Sequence, residues 1–375
     1  MSYRQLPALY LVSTACFVCV WLLGVTLGQA EEAAMTVEIA STPPLERIRP
    51  NTDLARLTLT VLLHGKPLGQ GHVKVQLTAP PRTKILVTGF PRVEGTPLLA
   101  LDSELTDGHL TVQYLFPIRG TYTFDLEIVP VPGGPAFPPT SLRKTIRIYE
   151  NPVVRRNAWL LVVGLFILGG ITGVIFSRSA AARERLLSRA IVGPLVLCCG
   201  ALAPLSTVAA HVGHTEHAAH GAPERQVMRG DHGWELELHS SPMPATVGHL
   251  VQLAIWLRKD GEVFPGMTEV AIEVINQEGG QPVMETYILA RQGHTSQSLQ
   301  LYDGALHTIA VTVRPVGGEA SGGAPPTAVL SVDVVALHPP LAIQIRMMAL
   351  LLGVLVGGMA IGFCMPWTSR EQAGA

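Results

Sequence analysis

Charge is what this chain of 375 residues has least of: Asp, Glu, Lys and Arg together make up 15%, against about 25% in ordinary soluble proteins. Aromatic residues are few as well, at 6%. With a formal net charge of −1, the chain lacks both the positive field and the stacking rings that nucleic-acid binding needs. An apolar content of 48% and a mean hydropathy of +0.34 exclude disorder along the whole length and point to membrane segments. Enzyme signatures are absent too: no P-loop, no dinucleotide fingerprint, no Gly-x-Ser-x-Gly elbow and no His-Glu-x-x-His pair. Nothing asks for catalysis, and no catalytic residue is assigned.

Residues 1–30 read as a secretory signal peptide. Arg4 is the positive start, Leu6 to Leu27 the apolar stretch and Gly28-Gln29-Ala30 the cleavage site. The alternative is an uncleaved first membrane helix, and either way the chain from Glu31 onward emerges outside the cytoplasm. Three further apolar runs are long enough to span hydrocarbon: 158–176, 190–210 and 347–365. The loop 177–189 carries Arg178, Arg183, Arg185 and Arg189 against Glu184, as a cytoplasmic loop does under the positive-inside rule. The tail 366–375 falls on the same side. The expected location is a bacterial inner membrane with both large domains in the periplasm. Gly169 and Gly173, Gly353 and Gly357, and Gly358 and Gly362 form small-xxx-small pairs, faces through which other integral membrane proteins would be partners. The centres of the runs hold no charged residue, which argues against a transporter.

Of the five cysteines, Cys16 and Cys19 leave with the signal, Cys198 and Cys199 sit in the second run, and Cys364 ends the third. Neither outer domain contains one, so no disulfide holds them despite the oxidising compartment. Vicinal Cys198-Cys199 reads as small apolar filler.

Between the runs the sequence alternates with period two. Arg56 to Leu63, Gly71 to Leu77 and Gly120 to Ile128 each put apolar residues on one face. Turn signals fall at His64-Gly65-Lys66-Pro67 and Asp107-Gly108. Residues 232–337 repeat the plan, with turns at Asp260-Gly261 and Asp303-Gly304. The fold class expected is all-β domains on a helical membrane anchor: two immunoglobulin-like β-sandwiches, at 31–150 and 232–337, with three transmembrane helices. Each half is an apolar leader, a sandwich and a membrane helix, which reads as an internal duplication.

Histidine is the strongest anomaly. Seven of the thirteen fall between 211 and 249, and His211, His214, His217 and His220 lie in one short stretch of the linker 211–231. Neutral imidazole suits copper and zinc, and His232, His239 and the thioether of Met243 come next along the chain. These seven residues are the candidate metal ligands, with copper ahead of zinc. His294 and His307 read instead as surface or core residues, and Met267 and Met284 as packing. Arg183 to Ala210 also has the anatomy of a second signal peptide, whose cleavage would free His211 as an N-terminal copper ligand; the alternative is an uncleaved helix.

Trp234-Glu-Leu-Glu-Leu-His239, Pro242 to Gly248, Asp260-Gly261 and Tyr302 to Val313 resemble the YtkA-like (FixH-like) family. That resemblance implies a small extracytoplasmic β-sandwich found with copper handling or oxidase assembly. The layout is also similar to the B subunit of particulate methane and ammonia monooxygenases. That family's copper uses a histidine at the mature N-terminus, and this chain has Glu31 there. The function expected is a membrane-anchored periplasmic metal-binding protein that handles copper or assembles a metalloenzyme. The alternatives are a structural accessory subunit of a membrane complex and a copper monooxygenase-type subunit.

Overall fold

The computed structural model describes residues 35–82, 93–177, 224–316, 326–335 and 339–364. The first half holds β1 (Met35–Thr42), β2 (Leu54–Leu63), β3 (Lys66–Pro67), β4 (Gln70–Thr78), β5 (Pro97–Thr106), β6 (His109–Leu115), β7 (Gly120–Val129) and β8 (Thr140–Ile148), then helix α1 (Pro152–Ser177). The second half holds β9 (Glu224–Arg229), β10 (Trp234–Ser241), β11 (Ala245–Thr246), β12 (Leu250–Lys259) and β13 (Glu262–Val263). It continues through β14 (Thr268–Asn276), β15 (Gln281–Ala290), β16 (His294–Gln300), β17 (Leu306–Pro315) and β18 (Thr327–Val335) to helix α2 (Leu341–Cys364).

Period-two sequences become strands with one buried face. In β2, Ala55, Leu57, Leu59 and Val61 are buried, and in β17 Ile309, Val311 and Val313 are. The turns are made by residues that tolerate positive φ: His64-Gly65, Asp107-Gly108, Asp260-Gly261 and Gln292-Gly293. Gly108 is further required by close approach, since a Cβ there would lie 2.7 Å from the backbone of Leu68 and Val61.

Both halves pair their strands by one plan. In the first, β1 pairs β2 and β2 pairs β6, while β5, β4, β7 and β8 form a second ladder. In the second, β10 pairs β12 and β12 pairs β16, while β15, β14, β17 and β18 form the other. Both carry a register shift at the same place, next to Leu77 in β4 and next to Val274 in β14. The second half adds β9 on the outer edge of β10.

The halves are joined edge to edge. Met284 of β15 pairs Tyr114 of β6, and Leu299 of β16 pairs Leu99 of β5. The same shift in numbering relates Leu99 to Met284 and Tyr114 to Leu299, so the two contacts are equivalents about a pseudo-twofold axis. Each ladder of one half thereby continues into a ladder of the other, and the whole forms one 18-stranded sheet around one hydrophobic core. Side chains seal the seam: Gln297 Nε2 donates to Asp102 O at 2.8 Å, Asp102 N donates to Gln297 Oε1 at 2.9 Å, and Tyr302 OH donates to Leu115 O at 3.0 Å.

Two helices among the described residues are long and apolar enough to cross a membrane. They begin before the expected 158–176 and 347–365, at Pro152 and Leu341. Asn151 caps α1, its Oδ1 accepting from Val153 N at 3.0 Å, and Pro152 opens the helix where an N–H is not needed. The helices run in parallel: Gly169 lies against Leu355 and Gly173 against Met359, while Gly358 lies against Phe166 and Gly362 against Gly170. This arrangement is again pseudo-twofold. The Gly169/Gly173 and Gly358/Gly362 faces offered to partners are thus used within the chain, whereas a Cβ at Gly353 or Gly357 would meet nothing within 4 Å among the described residues. The expected third helix, 190–210, lies outside the described residues, as do the signal peptide, the loop 177–189 beyond Ser177 and the tail 366–375.

Candidate functional site

The ladder β9-β10-β12-β16 turns polar side chains to its outer face. Glu235, Glu237 and His239 alternate along β10 because its other residues, Leu236 and Leu238, fill the core. Glu237 stands opposite Trp256, and Trp256 opposite His294. The three rings of His239, Trp256 and His294 form a row, with centroid separations of 4.7 and 5.0 Å.

Glu237 is only 6% exposed, and a buried carboxylate needs partners. It has three: His239 Nε2 at 2.7 Å, Arg225 Nε at 2.8 Å and Arg258 Nε at 3.1 Å. Burial by itself would raise the Glu237 carboxyl, but the His239 hydrogen bond and the charges of Arg225 and Arg258 hold it below the usual range. Because a carboxylate only accepts, the His239 proton in this bond is on Nε2, and neutral imidazole then keeps its lone pair on Nδ1. A carboxylate that orients an imidazole in this way is the second layer found behind metal-bound histidines.

The seven candidate ligands fall in different places. His211, His214, His217 and His220 lie outside the described residues. His232 sits at positive φ in the exposed turn between β9 and β10. His239 is near the other end of β10, roughly 20 Å away at about 3.3 Å per residue. Met243 comes just after β10 and packs against the core. His232, His239 and Met243 therefore do not converge. Among the described residues, no group of three or more His, Cys, Asp or Glu side chains is arranged to hold a metal ion.

A second charged cluster lies at the seam. His72 reaches Asp102 Oδ1 from Nε2 at 3.0 Å and Glu104 Oε1 from Nδ1 at 3.3 Å. Across the seam Arg291 Nε approaches the same Glu104 oxygen at 3.0 Å. The hydrogen bond to Asp102 does most to raise the His72 pKa above its ordinary value. Both imidazole nitrogens face carboxylates, an arrangement that favours the protonated ring. Beside it the sheet is concave, with a groove of about 740 Å³ lined by Lys74, Asp102, Asp125, Arg143, Ser296 and Ser298.

Neither cluster is visible as such in the sequence. The Glu and Asp residues look scattered because their partners lie on other strands. The only local signal is Glu235-Leu-Glu-Leu-His239, which puts three titratable side chains on one outward face.

A scan against protein-family models finds no match, and no curated protein matches by sequence. Among the solved structures that match are two that are only weakly similar. One is the native conformation of E. coli alpha-2-macroglobulin, at 9% identity and a TM-score of 0.23, covering 81% of this chain and 17% of that one. The other is the GAE domain of GGA2p from Saccharomyces cerevisiae, at 10% identity and a TM-score of 0.18, covering 30% of this chain and 98% of that one.

Proposed function

We propose that the chain is a binding protein of the bacterial inner membrane that handles copper outside the cytoplasm. Two immunoglobulin-like sandwiches, fused by duplication, form its periplasmic body, and His211, His214, His217 and His220 form its metal-binding arm. The observation that carries this reading is where the arm meets the body. Strand β9 begins at Glu224, just after His220, and its first residues pair with Ser240 and His239. The arm therefore joins beside a histidine that a buried carboxylate orients, and His239 Nδ1 is the ligand that the body would add. Imidazoles alone suit Cu(II) or Zn(II). No catalytic step is assigned.

Titration of Cu(I), Cu(II) and Zn(II) into the detergent-solubilised full chain tests this. The expected result is a one-to-one site tighter than micromolar that disappears when all four arm histidines are changed to Ala. Weak, multiple binding indifferent to the metal would refute it. The second reading, an accessory subunit docked on a larger membrane complex, is favoured by the concave seam groove. It predicts co-purification with that complex, unaffected by the four substitutions.

A further inference from the structure

His307 is a polar residue on the inward face of β17, buried between exposed Leu306 and half-buried Thr308. Its Nδ1 lies 2.9 Å from Ala305 O, and because a carbonyl only accepts, the ring proton is on Nδ1. Burial lowers the His307 pKa, so near pH 7 the ring is neutral and Nε2 carries a bare lone pair. Among the described residues, Nε2 has no hydrogen-bond partner. A buried acceptor left in that state costs stability until a donor reaches it.

The first half has a different residue at this place. The numbering shift that relates Leu99 to Met284 also relates Tyr122 to His307 and Ile118 to Asp303. Tyr122 is fully buried, and its hydroxyl donates to Ile118 O and accepts from Ile118 N. That phenol closes its end of the first sandwich. Imidazole is shorter, and its bond turns back to Ala305 instead of reaching residue 303.

At the corresponding end of the second sandwich lies a cavity of about 360 Å³, which His307 lines. Buried Leu115 and Val283 form apolar wall, and exposed Asn51, Glu278 and Asp303 stand at the mouth. Asn51 and Leu115 come from the first half, so the cavity sits on the seam. Asn276 fixes the acids: its Nδ2 donates to Asp303 Oδ2 at 2.9 Å, and its Oδ1 accepts from Glu278 N at 2.9 Å. Among the described residues that line the cavity, none is Lys or Arg. The two carboxylates and the bare lone pair all accept, so the matching ligand is a cation that donates. A metal ion would need such groups to converge, and no three among the described residues do. An ammonium group, with N–H donors in three directions, needs no such convergence.

We propose that this cavity binds a short aliphatic primary amine in its ammonium form. Its N–H groups meet His307 Nε2 and the Asp303 carboxylate, its carbon chain lies on Leu115 and Val283, and Glu278 attracts a second ammonium where the ligand has one.

Calorimetric titration of the four-carbon diamine putrescine into the detergent-solubilised full chain tests this. A chelator is kept present, which makes the result independent of the proposed copper arm. The expected result is saturable one-to-one binding, weakened about 10-fold or more by Asp303→Asn. His307→Tyr restores the residue of the first half, fills the cavity and should abolish binding. Glu278→Gln, on an exposed turn, should weaken binding too and serves if either other variant fails to accumulate. Tetramethylammonium has the charge without an N–H and is expected not to bind. Absence of saturable putrescine binding, equal binding of tetramethylammonium, or affinity unchanged in Asp303→Asn and Glu278→Gln would each overturn the assignment.

Discussion

Leu289 pairs across the seam with Glu104, its own counterpart in the first half. The numbering shift that relates Leu99 to Met284 relates Glu104 to Leu289, so this pair stands on the pseudo-twofold axis. An axis position meets itself in any symmetric dimer. The two halves carry different residues there, an acid in the first and an apolar side chain in the second.

Separated halves should therefore behave differently. Two copies of residues 224–335 would pair Leu289 with Leu289 and Met284 with Leu299, all apolar contacts. Two copies of residues 35–150 would bring two largely buried Glu104 carboxylates together without Arg291, at a cost of several kcal/mol. Light scattering at neutral pH is expected to find the second half dimeric and the first monomeric. A monomeric second half would contradict the view that its β15 and β16 edges are self-complementary.

Two histidines set opposite pH limits on stability. The hydrogen bond to Asp102, aided by the charge of Glu104, raises the His72 pKa. Its stabilisation is complete below the unfolded value of about 6.5 and is lost as pH rises through the folded value. His307 is 1% exposed, and burial lowers its pKa. The unfolded chain then takes up a proton that the folded chain does not, so this group costs stability as pH falls below about 6.5. Urea midpoints of the full chain between pH 5.5 and 8 should lose their alkaline decline in His72→Gln and their acid decline in His307→Gln. No change in slope with either substitution would remove these residues as the source.

Glycines in the helices divide into two groups that look alike in sequence. A Cβ at Gly173 would collide with the Met359 carbonyl, while one at Gly353 would meet nothing within 4 Å among the described residues. Gly173→Leu should cost about 1–3 kcal/mol, as overpacking does elsewhere. Gly353→Leu should stay within about 0.5 kcal/mol. Thermal aggregation of the detergent-solubilised chain measures both. Equal loss from the two would mean that helix propensity, not contact, governs the pair.

Strands are legible in the sequence because alternation is a local signal. Period two points to Arg56 to Leu63 and Gly120 to Ile128, and the observed strands are Leu54–Leu63 and Gly120–Val129. The seam is not legible. The pairings of Tyr114 with Met284 and Leu99 with Leu299 join edges whose residues alternate like any others. Nothing local distinguishes an edge that finds a partner from one that stays open. Of the site, His239 is legible as a residue type. Glu237, Arg225, Arg258 and Trp256 are not, because only the β9-β10-β12 register brings them to it. The glycine pairs are legible as contact faces, but not which of them would be used.

The buried carboxylate behind His239 supplies the sharpest test of the copper reading. Glu237 fixes the Nε2 proton and leaves Nδ1 to a ligand, so Glu237→Gln should weaken metal binding by about 10-fold or more without removing an imidazole. His239→Gln should weaken it at least as much. Removing the Glu237 charge also leaves Arg225 and Arg258 facing a neutral amide, so stability must be followed in parallel. In unsubstituted protein the ion-paired Glu237, held below the usual carboxylate range, stabilises the fold above about pH 4.3, and this is lost as pH falls through the folded value. Affinity lost while the folded baseline at pH 7 is kept would place Glu237 as a positioning residue. Affinity unchanged in both variants would confine any metal to the arm and leave His239 as a surface partner of Trp256.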